Sequence, residues 1–153
     1  MILFLSLLIG VVAGLRAMMA PAAVSWAAQR GGLDLSQSWL AFVGYRFTPW
    51  ILTIAALGEM VTDQLPSTPS RKVPPQFGAR IVMGAVSGAA IAVPSGMLIV
   101  GLIAGAIGAV AGTLGGAAAR GAMARAFGSD RPAAIIEDVV AIIAAFVILG
   151  VAA

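Results

Sequence analysis

Two acids and one arginine are the residues of this chain most suited to chemistry. Glu59 and Asp63 lie four residues apart in an apolar run that begins at Thr48. In a helix this spacing puts both carboxylates on one face, where they could share a proton, a cation or an arginine. Charged residues inside a membrane-length apolar segment are costly and usually mark a function. Together with Arg16, in the first apolar segment, they predict a binding site without naming its ligand.

Three further charged residues extend this predicted site. Glu137 and Asp138 begin the last predicted helix, and Arg80 begins a helix of small residues. The predicted topology puts all four acids in the same, cytoplasmic half. Oxygen-rich clusters bind hard cations, and clustered carboxylates also raise one another's pKa and so can carry protons. No cofactor is expected beyond a bound cation, and Glu59 and Asp63 are the expected ligands if that cation is a metal.

Each of these residues also has a purely structural interpretation. Arg16 could form a structural ion pair with Glu59 or Asp63, because a mid-span arginine needs a carboxylate, an anion or free carbonyl groups. Glu137 and Asp138 could simply stabilise the start of a helix through its macrodipole. Arg80 could extend to the lipid head groups.

Composition identifies the class of protein that must position these residues. Of 153 residues, 61% are hydrophobic and 10% are charged, whereas a soluble domain has about 25% charged residues. The chain is therefore predicted to be an all-α integral membrane protein with a single polytopic domain, 1–153. It has no cysteine and no histidine, which excludes thiolate metal sites and leaves proton chemistry to carboxylates. Its few, dispersed basic residues indicate membrane topology rather than nucleic-acid binding.

The apolar pattern predicts about five transmembrane helices. Their predicted ranges are 2–28, 47–65, 77–94, 97–127 and 133–151. Pro21 removes a helical hydrogen bond, so a break in the first helix is expected just after Arg16. Pro66 is the second predicted hinge. With five spans, the positive-inside rule places the N-terminus in the cytoplasm.

Regularly spaced glycines predict close helix packing. Gly84 and Gly88 are four residues apart, as are the glycines at 101 and 105 and those at 108, 112 and 116. Small residues at this spacing let helix backbones approach in lipid; a glycine-lined pore is the sharper alternative. The sequence 10–14 also resembles 108–112, which indicates a weak repeat of inverted topology, as found in transporters.

Three stretches together resemble a known family. They are Gly14 to Pro21, Glu59 to Pro66, and Ala79-Arg80 leading into Gly84 to Gly88. The pattern is similar to a family of small bacterial integral membrane proteins that is known only as a domain of unknown function. The resemblance implies a multi-helix inner-membrane protein and points to Glu59, Asp63, Pro66 and Arg80. Gln64 stands where the family pattern usually has a basic residue, so a salt bridge from that position is absent.

The first functional hypothesis is a small transporter or channel-like protein for an ion or a small polar solute. A bundle of this size has little room to enclose a path alone, so a homodimer in the bilayer is expected, with glycine faces as its interface. A second hypothesis is a non-catalytic scaffold or lipid-interacting protein whose charges fix helix register. The third is a metal-dependent enzyme acting on lipid head groups. The chain lacks the phosphate-binding, nucleophile-elbow and metalloprotease motifs of common enzymes.

Overall fold

The computed structural model describes residues 1–65 and 70–152, and that part of the chain is helical with short connections. Its six α-helices are α1 (Ile2–Leu15), α2 (Met19–Gln29), α3 (Thr48–Thr62), α4 (Pro74–Ala92), α5 (Leu98–Phe127) and α6 (Asp130–Ala152). Two 3₁₀ helices, Trp39–Gly44 and Val93–Ser95, precede α3 and follow α4.

Three helices in the described part of the chain are long and apolar enough to cross a membrane. They are Pro74–Ser95, Leu98–Phe127 and Asp130–Ala152, with mean hydropathies of 1.5, 2.1 and 2.5. Helices α1, α2 and α3 have 14, 11 and 15 residues. At the rise of an α-helix they are about 21, 17 and 23 Å long, shorter than a hydrocarbon core of about 30 Å. The expected all-helical membrane class agrees with these helices, whereas a count of five spans is not established.

The first apolar segment breaks where Pro21 predicts. Helix α1 ends at Leu15 and α2 begins at Met19. Between them Arg16 has an extended backbone, with φ −139° and ψ 110°. Pro21 lies in the first turn of α2, where an N–H group would have no intrahelical partner in any case. The predicted break after Arg16 is therefore confirmed.

The chain also turns back at this break. Residues between 19 and 32 line one groove together with residues between 142 and 150 of α6. Arg16, just before α2, contacts Asp138 near the start of α6, whereas Arg30, just after α2, lines the groove with Gly150 near the end of α6, so α2 runs parallel to α6. Helix α1 runs the opposite way, because it packs parallel to α5, which is antiparallel to α6 across the turn at Gly128. Helix α2 therefore returns toward the end from which α1 started. The two helices form a hairpin, and the expectation of a single kinked span over 2–28 is wrong.

This hairpin defines the two ends of the bundle. Met1, Arg30 and the last turn of α6 lie at one end, which we call the terminal face. The opposite end carries residues 70–73 before α4, the end of α5 and the start of α6, and we call it the arginine-rich face. Its basic residues are Arg71, Lys72, Arg120, Arg125 and Arg131. The expectation that the first segment carries Met1 and Arg30 to opposite faces is wrong, because that segment doubles back.

Glycines bring α1 and α5 into backbone contact. A Cβ atom on Gly10 would lie 2.1 Å from the carbonyl oxygen of Gly105, and one on Gly14 would lie 2.7 Å from the carbonyl carbon of Gly112. The predicted close packing through small residues is therefore confirmed.

The glycine contacts also fix the relative direction of these two helices. Because the contacts advance in the same direction along both helices, α1 and α5 run parallel. The predicted inverted repeat of 10–14 and 108–112 is wrong, since inverted copies would run antiparallel.

Helix α4 packs antiparallel to this pair. The hydroxyl of Ser6 donates to the carbonyl oxygen of Gly88 at 3.0 Å, and a Cβ on Gly84 would lie 3.4 Å from Cα of Gly10. Gly84 and Gly88 are buried, as is Gly101. These glycine faces are therefore used within one chain, which removes the reason to expect them at an interface between copies.

Candidate functional site

Four arginines and four carboxylates converge where α1 breaks. This charge cluster consists of Arg16, Arg71, Arg80, Arg120, Glu59, Asp63, Glu137 and Asp138. On α6, Ile136 and Val139 flank its two acids in sequence and expose 40% and 48% of their surface. Since apolar side chains face outward at this level, the cluster lies within the apolar belt of the bundle and near the arginine-rich face.

Arg80 caps the C-terminal end of α1. Its Nη1 donates to the carbonyl oxygens of Gly14 at 2.9 Å and Leu15 at 2.7 Å. The last carbonyl groups of a helix have no intrahelical partner, and a cation there also opposes the negative end of the macrodipole. Arg80 is only 1% exposed. It therefore faces the acids, and the alternative in which it extends to the lipid head groups is wrong.

Glu59 caps the N-terminal end of α2 from the neighbouring helix α3. Its Oε1 accepts from the backbone N–H of Ala17 and its Oε2 from that of Met18, both at 2.8 Å. Arg80 Nη2 also lies 3.3 Å from Glu59 Oε1. One carboxylate and one guanidinium thus satisfy the two helix ends at the break and pair with each other.

Arg16, at the tip of the hairpin, is completely buried and pairs with acids from two helices. Its Nη1 is ion-paired with Asp63 of α3, and its Nε donates to Asp138 Oδ1 at 2.5 Å. Its Nη2 lies 4.0 Å from Glu137 Oε2. Of the two predicted acidic partners for Arg16, the structure therefore supplies Asp63, whereas the ionic partner of Glu59 is Arg80.

Arg71 closes the cluster from the loop before α4. Its Nη1 and Nη2 contact Glu137 Oε1 and Oε2 at 2.5 and 2.8 Å, in the two-point geometry that suits guanidinium and carboxylate. Gly116 of α5 leaves room for this pair, because a Cβ there would lie 3.2 Å from Glu137 Oε1 and 3.3 Å from Arg71 Nη1. Arg71 was not among the site residues predicted from the sequence.

Arg120 joins the cluster from the last turns of α5. Its Nη1 lies 3.3 Å from Glu137 Oε2 and 3.6 Å from Asp63 Oδ2. Its Nε and Nη2 contact the exposed carboxylate of Asp130 at 2.9 and 2.6 Å. Sequence reasoning missed Arg120 as a site residue, although Asp130 follows it by ten positions across a tight turn at Gly128, and this spacing was the available signal.

The remaining predicted site residues have mixed outcomes. Glu137 and Asp138 are each 4% exposed and pair with arginines, so they do more than stabilise a helix start. Asp63 is half-buried and pairs with Arg16. Pro66, the second predicted hinge, lies outside the described residues.

The cluster is balanced in charge yet incompletely hydrogen-bonded. It contains four guanidinium groups and four carboxylates, so its formal charge is zero. Within the described part of the chain, Arg16 Nη2 and Arg80 Nε are buried without a hydrogen-bond partner. Buried polar groups are nearly always paired. The N–H groups on these two nitrogen atoms are therefore available to donate hydrogen bonds to a bound group, or to a carboxylate that has changed its partner.

Metal binding has less support than ion-pair exchange at this site. Across residues 1–65 and 70–152, no three acidic side chains are grouped in a way that could hold a metal ion. Glu59 and Asp63 instead accept from N–H groups and arginines. A cation at either carboxylate would have to displace those donors. The site therefore offers carboxylates and arginines that can exchange ion-pair partners with one another.

Comparison with known proteins found no matching family model, no matching curated protein and no matching solved structure. The function must therefore be inferred from the residues of the site and their geometry.

Proposed function

We propose that this protein is a small transporter or channel-like protein for an ion or a small polar solute. The observation that carries the proposal is the helix break at Arg16, whose two ends are capped by Glu59 and Arg80. Broken helices inside a membrane recur at the substrate sites of transporters, where helix ends and free backbone groups face the solute.

The cost of the charges supports a functional role. Charged residues at membrane depth are rare and usually belong to substrate, ion or proton pathways. Here eight of them meet at one level. The N–H groups of Arg16 Nη2 and Arg80 Nε, which lack a hydrogen-bond partner within the described residues, would be satisfied by a bound group.

In the proposed mechanism, a solute replaces one partner of an existing ion pair. An anionic group would take the place of Glu59 at Ala17 N, Met18 N and Arg80, whereas a cation would take the place of Arg16 at Asp63. The released side chain then pairs elsewhere in the cluster. Because the solute binds one arrangement better than the other, it shifts the population between two packings of the bundle.

The proposed location is the inner membrane of a bacterium. The positive-inside rule favours a cytoplasmic position for the arginine-rich face, with both termini on the opposite side. This replaces the cytoplasmic N-terminus expected from a single first span. A homodimer remains part of the proposal, because a bundle of this size has little room to enclose a path alone.

A scaffold is the second candidate, and the charge balance favours it. Four guanidinium groups matched to four carboxylates could simply fix the register of α3, α4, α5 and α6 around the hairpin. Buried ion pairs are best attested in such a specifying role. In that case replacing Glu59 would lower stability and change no ligand response.

The test combines thermal unfolding with flux. Purified wild type, Glu59→Gln and the control Asp34→Asn, an exposed acid outside the charge cluster, would be heated with Na⁺, K⁺, Mg²⁺, phosphate, acetate and small amino acids, across pH. A solute that binds only the native state raises the midpoint by mass action. We expect one solute to stabilise wild type and Asp34→Asn but not Glu59→Gln, and to enter proteoliposomes with the same dependence. If none does, and Glu59→Gln is merely less stable, the scaffold is favoured.

A further inference from the structure

We infer that the groove between α2, α3 and α6 binds an anionic phospholipid, with an acyl chain in the groove and the phosphate at Arg30. This inference is independent of the transport proposal, because it concerns a different surface. It rests on the shape of the groove, on the polarity of its walls and on the position of a single unpaired cation.

The groove has the dimensions and lining of a chain-binding site. Its volume is about 620 Å³, and it extends from Arg30 and Gly150 at the terminal face to Met19 and Met60 near the charge cluster. Most of the wall is alanine and larger apolar side chains. Its long axis follows α2, so a chain entering at the terminal face would run along the bundle, as acyl chains do in a bilayer.

The walls offer nothing to a polar solute. Thr53 is the uncharged polar side chain in the lining, and its hydroxyl already donates to the carbonyl oxygen of Pro49 at 2.6 Å. Trp26 Nε1 in turn donates to Thr53 Oγ1 at 3.0 Å. Since these polar groups satisfy one another, hydrocarbon suits the groove better than a hydrated ligand.

The mouth of the groove carries one cation. Arg30 is exposed, and its guanidinium carbon lies 5.2 Å from the ring centroid of Trp26. Among the described residues, no carboxylate lies within ion-pair distance of Arg30. Exposed aromatic residues surround this level, as at a membrane interface: Trp39, Tyr45, Phe47 and Trp50. A phosphate at head-group depth would complete this arrangement.

Fluorescence quenching by brominated lipids tests the site directly. In the background Trp39→Phe and Trp50→Phe, Trp26 is the single tryptophan and lies in the groove wall. This protein would be reconstituted in vesicles that contain brominated phosphatidylglycerol or brominated phosphatidylcholine at increasing mole fractions. One basic residue near an anionic membrane surface raises the affinity for that surface about fivefold. We expect the mole fraction that gives half-maximal quenching to be about fivefold lower for brominated phosphatidylglycerol than for brominated phosphatidylcholine. We expect Arg30→Gln to remove this difference.

Two further variants show whether quenching arises inside the groove. Ala23→Phe and Ala27→Leu fill the lining and should reduce quenching by both lipids, with each variant's fold checked by its thermal midpoint. Equal quenching by the two lipids with or without Arg30, or quenching that neither filling variant reduces, would mean ordinary surrounding lipid and overturn the inference. Absence of quenching combined with a dimer mass in mild detergent would overturn it in favour of a second copy.

Discussion

Arg71 and Glu137, 66 positions apart in the chain, form a two-point ion pair that closes the charge cluster at the arginine-rich face. Their side chains are 9% and 4% exposed. The pair attaches Arg71, three residues before α4, to the start of α6, so this arginine is held by a defined geometry and not by charge alone. A lysine has the same charge but lacks the planar fork that makes this geometry.

Arg71→Lys should therefore be destabilising although it preserves the charge. We expect it to lower the free energy of unfolding by about 1 kcal/mol, the net contribution of one typical hydrogen bond, because lysine keeps one contact of the two and the charge. Arg71→Gln should cost about 2 kcal/mol, less than the loss of a lone buried pair because Arg120 still faces Glu137. Denaturant unfolding in detergent measures both. The neighbouring exposed Lys72→Gln is the control, and an equal effect there would contradict a specific pair.

Arg16→Gln should be the most destabilising of the single charge changes. It leaves Asp138 without a cationic partner and Asp63 with only the 3.6 Å contact to Arg120, a loss of about 3–5 kcal/mol. The double variant Arg16→Gln/Asp138→Asn should recover part of this loss, because it removes the stranded charge at Asp138. A double-mutant cycle from unfolding free energies gives the coupling. The exposed Arg125→Gln should have little effect, and strict additivity at Arg16 and Asp138 would contradict direct pairing.

Glu59 should protect the amides at the helix break. Glu59→Ala removes both acceptors, whereas Glu59→Gln keeps one oxygen for one N–H group. Hydrogen exchange at Ala17 and Met18 should therefore be fastest in the alanine variant, intermediate in the glutamine variant and slowest in wild type. Mass spectrometry of peptides covering residues 15–20 reports this order. Unchanged exchange in Glu59→Ala would show that the amides have another acceptor in solution.

Two glycines of α5 offer a matched test of close packing. A Cβ at Gly108 would lie 2.0 Å from the carbonyl oxygen of Leu7, whereas one at Gly115 has no atom within 4 Å among the described residues. Gly108→Ala should lower the unfolding free energy by about 1–3 kcal/mol through overpacking. Gly115→Ala should be neutral or stabilising by up to about 1 kcal/mol, since alanine favours helix. The thermal unfolding midpoints of the two variants, compared with that of wild type, measure these effects. Equal effects would refute the close contact of α1 with α5.

Part of this site could be predicted from the sequence because charges are conspicuous in apolar segments. Arg16, Glu59 and Asp63 interrupt long apolar runs, and the cost of burying them indicates partners. Arg71 and Arg120 gave no such signal, since a loop and the end of a helix are ordinary positions for arginine. Their role depends on contacts with α6 that are set by tertiary packing.

The hairpin shows the same division between local and tertiary information. Pro21 predicts where the helix breaks, because its effect on hydrogen bonding is local. The direction that the chain takes after the break depends on helices α4 and α6, because α2 packs against both. The apolar run over 2–28 is long enough for one span, so its length favoured the wrong topology.

The turn at Arg16 also has a consequence for the order of assembly during synthesis. Asp138, which pairs with Arg16, is made 122 residues later. Until then the hairpin tip carries an arginine that lacks one of its two carboxylate partners, which disfavours deep placement in lipid. The N-terminal hairpin therefore acquires its full set of ion-pair partners only once α6 has been made, so its charges are balanced late in synthesis.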